Sequence, residues 1–327
     1  MIYPEFIQKK ETIGICAPSA GVGKKIPDFE ASLKTLHECG YRTKETASVR
    51  VFADRSADAQ TRARELNELF ADDEVKMVMS AAGGDFLFEI LPYVDFAQMK
   101  AHPKWLSGAS DPTGILFPYT VSCDVATMYG FNAGSFDILP LPDHLKNALS
   151  FVRGDLITQK SFDMYMKTPG FLAEKIEFDT PVQWISTAGD IHVTGRCIGG
   201  CIDVLKDLIG TEYETVRAFD ERYQEDGLIW YFDNFSLGAE VFYRTLLQMR
   251  YAGWFRHTNA VIVGRVLFES SDTGMTYAEA IERSLGSIPV LYQADVGHTI
   301  PSMTMINGAM LDVTYEKGRA ALRFSLE

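Results

Sequence analysis

The sequence predicts a two-domain α/β protein whose first half is a parallel sheet covered by helices. Three observations predict it. From Thr12 to Asp111, short apolar runs alternate with helix-like segments, the pattern of strands joined by crossover helices. Between Leu139 and Lys175 the pattern fades and Pro140, Pro142, Pro169 and Gly170 punctuate the chain, as expected of a segment joining domains. The length, 327 residues, also exceeds what one hydrophobic core usually serves. The expected boundaries are a first domain over 1–145, a linker over 146–174 and a second domain over 175–327.

The elements follow in order. Thr12 to Ala17 is an apolar strand stopped by Pro18 and a loop through Gly21 and Gly23. Between Asp28 and Cys39, Phe29, Leu33 and Leu36 recur at helical spacing, and Gly40 supplies a stop. Ala57 to Phe70 reads as a second helix, Val75 to Ser80 as a strand, and Gly83-Gly84-Asp85 as a loop. A helix through Leu87, Ile90 and Leu91 leads to the run Lys104 to Ser107. In such sheets, sites form at the carboxyl ends of the strands, which places Ala17–Gly23, Gly83–Asp85 and Gly108–Asp111 on one edge. The second half predicts strands at Lys175 to Phe178, Val182 to Ser186, Ile191 to Cys197, Leu228 to Phe232 and Ala260 to Val266. Helices are expected from Gly200 to Leu208 and from Gly238 to Tyr251.

Composition excludes several classes. A formal net charge of −13 argues against nucleic acid as a partner, because phosphate binding rests on clustered Lys and Arg. No apolar run approaches the roughly 18 residues of a membrane span, and Met1 to Glu11 lacks the layout of a signal peptide. Five scattered cysteines read as reduced thiols, so a cytoplasmic location is expected. Ala17 to Lys25 is glycine-rich, but Pro18 stands where a phosphate loop needs glycine and Lys25 where it needs Ser or Thr. Cys16 and Cys123 read as buried small apolar residues. Cys197 and Cys201 lack the second ligand pair of a zinc site.

The tetrapeptide Gly108-Ala109-Ser110-Asp111 carries the sharpest chemical signal. A serine between a strand and the segment that follows can stand clear of its backbone as a nucleophile, with the Asp111 N–H turned toward a developing oxyanion. The competing reading is an N-cap, which Ser and Asp both favour. A serine nucleophile needs a base and a group to orient it. Of six histidines, His37 and His102 read as surface residues, His144 as part of the domain crossing and His257 as a helix-end residue. His192 and Asp190 read as a hydrogen-bonded surface pair rather than a metal pair. His298, in Asp295-Val296-Gly297-His298-Thr299, stands in a strand-terminal loop suited to catalysis or to a structural role. For the acid, Asp233 directly follows the apolar run Leu228 to Phe232, and Glu240, Asp226 and Asp295 compete with it.

These residues resemble the LD-carboxypeptidase (muramoyltetrapeptide carboxypeptidase) family of serine peptidases, which includes the microcin C self-immunity peptidases. The likeness includes Gly14-Ile15-Cys16-Ala17-Pro18-Ser19, Ser80-Ala81-Ala82-Gly83-Gly84-Asp85, and Pro103 through Thr113. Met128-Tyr129-Gly130, Gly195 through Gly200 and Trp230-Tyr231-Phe232-Asp233 continue it. It closes with Ala252-Gly253-Trp254-Phe255, Gly264-Arg265 and Asp295-Val296-Gly297-His298. The fold expected is an N-terminal parallel-sheet, three-layer, flavodoxin-like domain with a smaller C-terminal mixed β/α domain of the swivelling type.

The resemblance implies a triad spanning both domains, with Ser110 as nucleophile, His298 as base and Asp233 at the place of the family's glutamate. It implies backbone N–H groups of Gly84 and Asp111 as the oxyanion hole, no metal or organic cofactor, and a homodimer. Small peptide or peptidyl-nucleotide substrates are expected: a murein tetrapeptide losing D-alanine, or an aspartyl-nucleotide conjugate. Asp233 is one methylene shorter than glutamate, and Cys201 stands where many relatives carry Asn. A two-domain binding protein with lost chemistry is the rival from another class. Arg196 and Arg265 are expected in surface ion pairs, and Trp254-Phe255 in an interface or in the core.

Overall fold

The computed structural model describes residues 1–169 and 175–327. The end of the expected linker, 170–174, with Gly170, lies outside the described residues. The chain divides into two compact units, Met1–Leu156 with Thr304–Gly308, and Ile157–Met303 with Ala309–Glu327.

In the first unit, β1 (Thr12–Cys16), β2 (Arg42–Glu45), β3 (Val75–Ser80), β4 (Trp105–Gly108) and β5 (Thr127–Tyr129) are parallel, in the order β2-β1-β3-β4-β5. This is the flavodoxin-like order. β1, β3 and β4 are almost wholly buried, which is why they read as continuous apolar runs. β2 reads polar because it is an edge strand with alternating exposure. Helix α1 (Ile26–Glu38) buries Phe29, Leu33 and Leu36. Helix α2 (Ala59–Ala71) starts where the Asp58 side chain accepts the Thr61 N–H. The segment expected as a helix through Leu87 and Leu91 is a 3-10 helix, Leu87–Tyr93, containing Pro92, whose ring and missing N–H disfavour α-helix. Helix α3 (Phe96–Ala101) follows it. Helix α4 (Thr113–Cys123) is buried along all but one of its positions. Helix α5 (Asp143–Val152) runs across the expected boundary at 145 into the region expected as linker.

The second unit is a mixed β/α unit, no shorter than the first although a smaller one was expected. Its chain runs β6 (Gln159–Lys160), β7 (Met164–Tyr165), β8 (Thr180–Pro181), β9 (Ile185–Ser186), β10 (Ile191–Cys201), α6 (Ile202–Leu208) and α7 (Val216–Arg222). β11 (Leu228–Asp233), α8 (Ala239–Ala252), β12 (Thr258–Gly264), α9 (Tyr277–Leu285) and β13 (Val290–Ala294) follow. The chain then contributes β14 (Met305–Asn307) to the first unit, antiparallel to β5, before β15 (Met310–Glu316) and β16 (Arg319–Ser325) complete the second.

Strands β10 to β13 are parallel neighbours at the centre of the second sheet, with β15, β16 and β6 beyond β10 and β9 beyond β13. Trp230 and Trp254 stack at 5.2 Å in its core, so the Trp254-Phe255 pair is core packing. No strand forms over 175–178: Ile176 and Phe178 stay exposed, so their alternation finds no core. Among the described residues, no helix is long and apolar enough to cross a membrane.

Candidate active site

Ser110 sits in the first unit between β4 and α4, with φ of +69°. A left-handed non-glycine residue costs about 1–3 kcal/mol and persists only where its surroundings impose it. Here the Ser110 N–H donates to the Tyr129 hydroxyl at 3.1 Å, and the Ala109 N–H donates to Asn132 Oδ1 at 3.0 Å. The Ser110 carbonyl accepts the Thr113 N–H at 2.9 Å, entering α4. Gly83 lies against Ser110: a Cβ there would stand 3.1 Å from Ser110 Cβ and 3.3 Å from Oγ. Gly84, next to it, has φ of +148°, and a side chain there would collide with the Ser19 hydroxyl.

Asp111 is buried and its carboxylate is used internally. It accepts the Ser19 hydroxyl at 2.5 Å and the Leu87 N–H at 2.9 Å. Burial pushes its pKa up, against the lowering effect of these two bonds. The side chain therefore ties together the three segments that meet around Ser110. A cleft of about 380 Å³ opens beside Gly83, lined among others by Lys25, Asp28, Asn132 and Asp137. Burial pushes the Asp137 carboxyl up as well, and nearby Asp28 adds to it.

Asp233 and His298 lie in the second unit, and the fold brings them together. Asp233 ends β11 at 1% exposure. His298 Nδ1 stands 3.0 Å from its Oδ1 and 2.8 Å from its Oδ2, and the His298 N–H donates to Oδ1 at 3.2 Å. With the proton on Nδ1, this bond leaves the Nε2 lone pair able to accept a proton. Burial alone would lower the imidazole pKa. The charge and hydrogen bond of Asp233 outweigh it, Asp203 adds to them, and the pKa is raised.

The short aspartate reaches because the histidine loop comes to it. Gly297 has φ of +104°, and a Cβ there would collide with the Asp233 carboxylate. The Phe235 ring packs on the imidazole at 4.6 Å. Asp203 fixes the Phe235 loop by accepting the N–H groups of Phe235 and Ser236, each at 3.0 Å.

Competing candidates are occupied elsewhere. Glu240 accepts from Ser271 and from the Thr273 hydroxyl and N–H, and the Thr273 hydroxyl leads the causes that hold its pKa at about 2. Asp226 pairs with Arg196 at 2.6 Å. Asp295 pairs with Arg265 at 2.5 Å and accepts the Trp184 indole N–H. These arginines are buried, not on the surface as expected, because Tyr223 and Tyr165 rings cover their guanidinium groups at 4.0 and 4.3 Å.

His192 pairs with Asp312 of β15 at 2.9 Å, while Asp190 instead accepts the Lys317 N–H. Asp190 lies before β10 begins, so the two never share a strand face. His257 bonds to Asp220. His144 is buried in α5, and burial lowers its pKa to about 4. Burial pushes the Cys16 thiol up to about 12, which removes it as a nucleophile.

The roles of Gly297, Phe235, Asp203, Tyr129 and Asn132 escaped the sequence reading. For Gly297 a signal existed, since a glycine beside a candidate base invites the question of what approaches it. Cys201 is a further neighbour: β10 and β11 pair Cys201 with Asp233 in register.

Comparison with known proteins agrees over both units. Residues 13–130 match the family described as the LD-carboxypeptidase N-terminal domain, and residues 194–313 match the LD-carboxypeptidase C-terminal domain. A Vibrio cholerae protein described as an inferred carboxypeptidase is 27% identical over 321 residues, covering 93% of this chain and 92% of its own. The Escherichia coli microcin C7 self-immunity protein MccF is 27% identical over 282 residues, covering 80% of this chain and 78% of its own. A solved structure of MccF with aspartyl sulfamoyl adenosine shares the fold, with a TM-score of 0.84, 21% identity and 99% and 98% coverage. A muramoyltetrapeptide carboxypeptidase from Oxalobacter formigenes does so with a TM-score of 0.76, 21% identity and 96% and 99% coverage. The chain belongs to the LD-carboxypeptidase family of serine peptidases.

Proposed function

We propose that this protein is a serine carboxypeptidase that releases the terminal D-alanine of a murein tetrapeptide, with Ser110, His298 and Asp233 as its triad. The observation that carries the reading is the Asp233 carboxylate, which holds both the ring and the backbone of His298. In this reading His298 Nε2 takes the Ser110 proton as Oγ attacks the carbonyl before D-alanine. Asp233 keeps the ring in the required tautomer and stabilises the imidazolium that forms.

The N–H groups of Asp111 and Gly84 receive the oxyanion. The imidazolium then gives its proton to the leaving amine, and water repeats the sequence to free the acid. The left-handed Ser110 turn supports the nucleophile role, since strain of this kind collects at functional sites. The cleft beside Gly83, with Lys25, Asp28 and Asp137 on its walls, suits a peptide carrying both amine and carboxylate groups. The same reading takes the protein to act as a cytoplasmic homodimer without metal or organic cofactor.

A second reading, cleavage of an aspartyl-nucleotide conjugate, is favoured by the likeness to MccF. Incubation of the purified protein with a murein tetrapeptide and, separately, with an aspartyl-nucleotide decides between them. D-alanine release is the expected result. Cleavage of the nucleotide conjugate alone would transfer the protein to the immunity branch. Tight binding of either compound in calorimetry without turnover would make it a binding protein.

A further inference from the structure

Cys201, which the serine mechanism does not use, closes a cluster with two residues that it does use, Asp233 and His298. Its Sγ, an Asp233 oxygen and a His298 ring nitrogen all lie within 4.8 Å of one another. Cys201 ends β10 and Asp233 ends β11, paired in register, while His298 follows β13. Three ligand types thus converge at the carboxyl edge of one parallel sheet. Thiolate, imidazole and carboxylate together suit Zn²⁺ and its soft congeners. Metal–ligand bonds of about 2.0–2.3 Å require only small shifts of this triangle: the sulfur moves in, and for ligation through Nδ1 the Asp233–His298 edge, now 2.8 Å, opens by about half an ångström.

The supporting shell is in place. The His298 N–H holds one Asp233 oxygen, and Asp203, 3.7 Å from the Cys201 sulfur, is itself fixed by the Phe235 and Ser236 N–H groups. The histidine side chain keeps 19% exposure, which gives an ion an approach.

We propose that Cys201, Asp233 and His298 form an inhibitory site for Zn²⁺ or another soft divalent cation. The metal-binding claim stands apart from the function proposed above; only its effect on catalysis rests on that reading. On binding, the thiol proton leaves to solvent and Cys201 ligates as thiolate. Ligation through Nδ1 forces the remaining ring proton onto Nε2, the atom that must accept the Ser110 proton. Ligation through Nε2 occupies that lone pair directly. Either way the base is lost. Relatives with Asn at the position of Cys201 would lack the sulfur ligand, so the trap would be a property of this chain.

The test is titration of the full-length protein with Co²⁺, read by the thiolate-to-cobalt charge-transfer band, followed by displacement with Zn²⁺. One equivalent should produce the band, and Cys201→Ser and Cys201→Ala should each abolish it. Zn²⁺ should displace Co²⁺ and slow fluorophosphonate labelling of the wild type, with the variants requiring at least about tenfold more Zn²⁺. Absence of the band in the wild type, or a band unchanged in both variants, overturns the site. A band with no peptidase turnover on any substrate leaves the metal site standing and fails the function reading instead.

Discussion

The second unit contains two aspartate–histidine pairs with nearly the same bonding and different surroundings. Asp233 and Asp220 are both buried, and each accepts a histidine Nδ1, at 2.8 and 2.7 Å, and the same histidine's backbone N–H at 3.2 Å. The Asp220–His257 pair joins α7 to the residue before β12, at the amino end of the parallel strands, where the His257 carbonyl also accepts the Leu228 N–H. It works as a clasp. The Asp233–His298 pair stands at the carboxyl ends of β11 and β13, the edge where such sheets build their sites. It is flanked by Phe235 and Cys201 and reached across Gly297. Hydrogen-bond geometry alone therefore does not mark a catalytic histidine; the sheet edge and the neighbours are what single out His298 in the proposed function.

Parallel substitutions in the two pairs sharpen the contrast. The largest effect is expected from Ser110→Ala and His298→Ala, each lowering kcat by at least about 10⁴-fold with folding intact. His257→Ala should leave the rate within about threefold and lower the melting temperature, and equal losses in both histidine variants would erase the distinction. Next comes Asp233→Asn, which keeps the shape but frees the wrong tautomer, with an expected loss of about 10³–10⁴-fold. Asp220→Asn should instead cost about 1–3 kcal/mol of stability in denaturant unfolding, at little cost in rate. An unchanged rate in Asp233→Asn would return the acid role to another carboxylate.

Gly297→Ala is expected to displace the carboxylate and reduce kcat by about 100-fold, and a crystal structure of the variant would show the altered Asp233–His298 contact. The smallest effect concerns pH. The raised His298 pKa means that its neutral, basic form appears only above the usual imidazole value of about 6.5. The acid limb of kcat/KM should therefore have its midpoint above that value, and in Asp233→Asn, where only Asp203 still opposes burial, it should move down. In folding, the same shift stabilises below the unfolded pKa, and that contribution is lost as pH rises through the folded one.

Much of this was legible in the sequence. β3 and β11 announce themselves because buried parallel strands read as unbroken apolar runs. The turn at Ser110 was legible from small residues between a strand and Pro112. β2 was hidden by its polar edge position, and β14 because its pairing to β5 is set by residues more than 170 positions away. Helix α9 could have been read, since Thr276 and Glu279 form the reciprocal N-terminal cap that its sequence spells.

Residue pattern alone left the acid open, and only the family resemblance pointed to Asp233. Whether Asp233, Glu240, Asp226 or Asp295 meets a histidine depends on which partner each finds across the fold, and three of them find hydroxyls or arginines. Burial of Arg196 and Arg265 was missed for the same reason, because their aromatic covers are distant in sequence.

Fluorophosphonate labelling with the adduct mapped by mass spectrometry tests the central claim most directly. The account predicts a single adduct on Ser110, formed equally in wild type and His257→Ala and strongly slowed in His298→Ala. An adduct on any other residue, or full-rate labelling without His298, would contradict it.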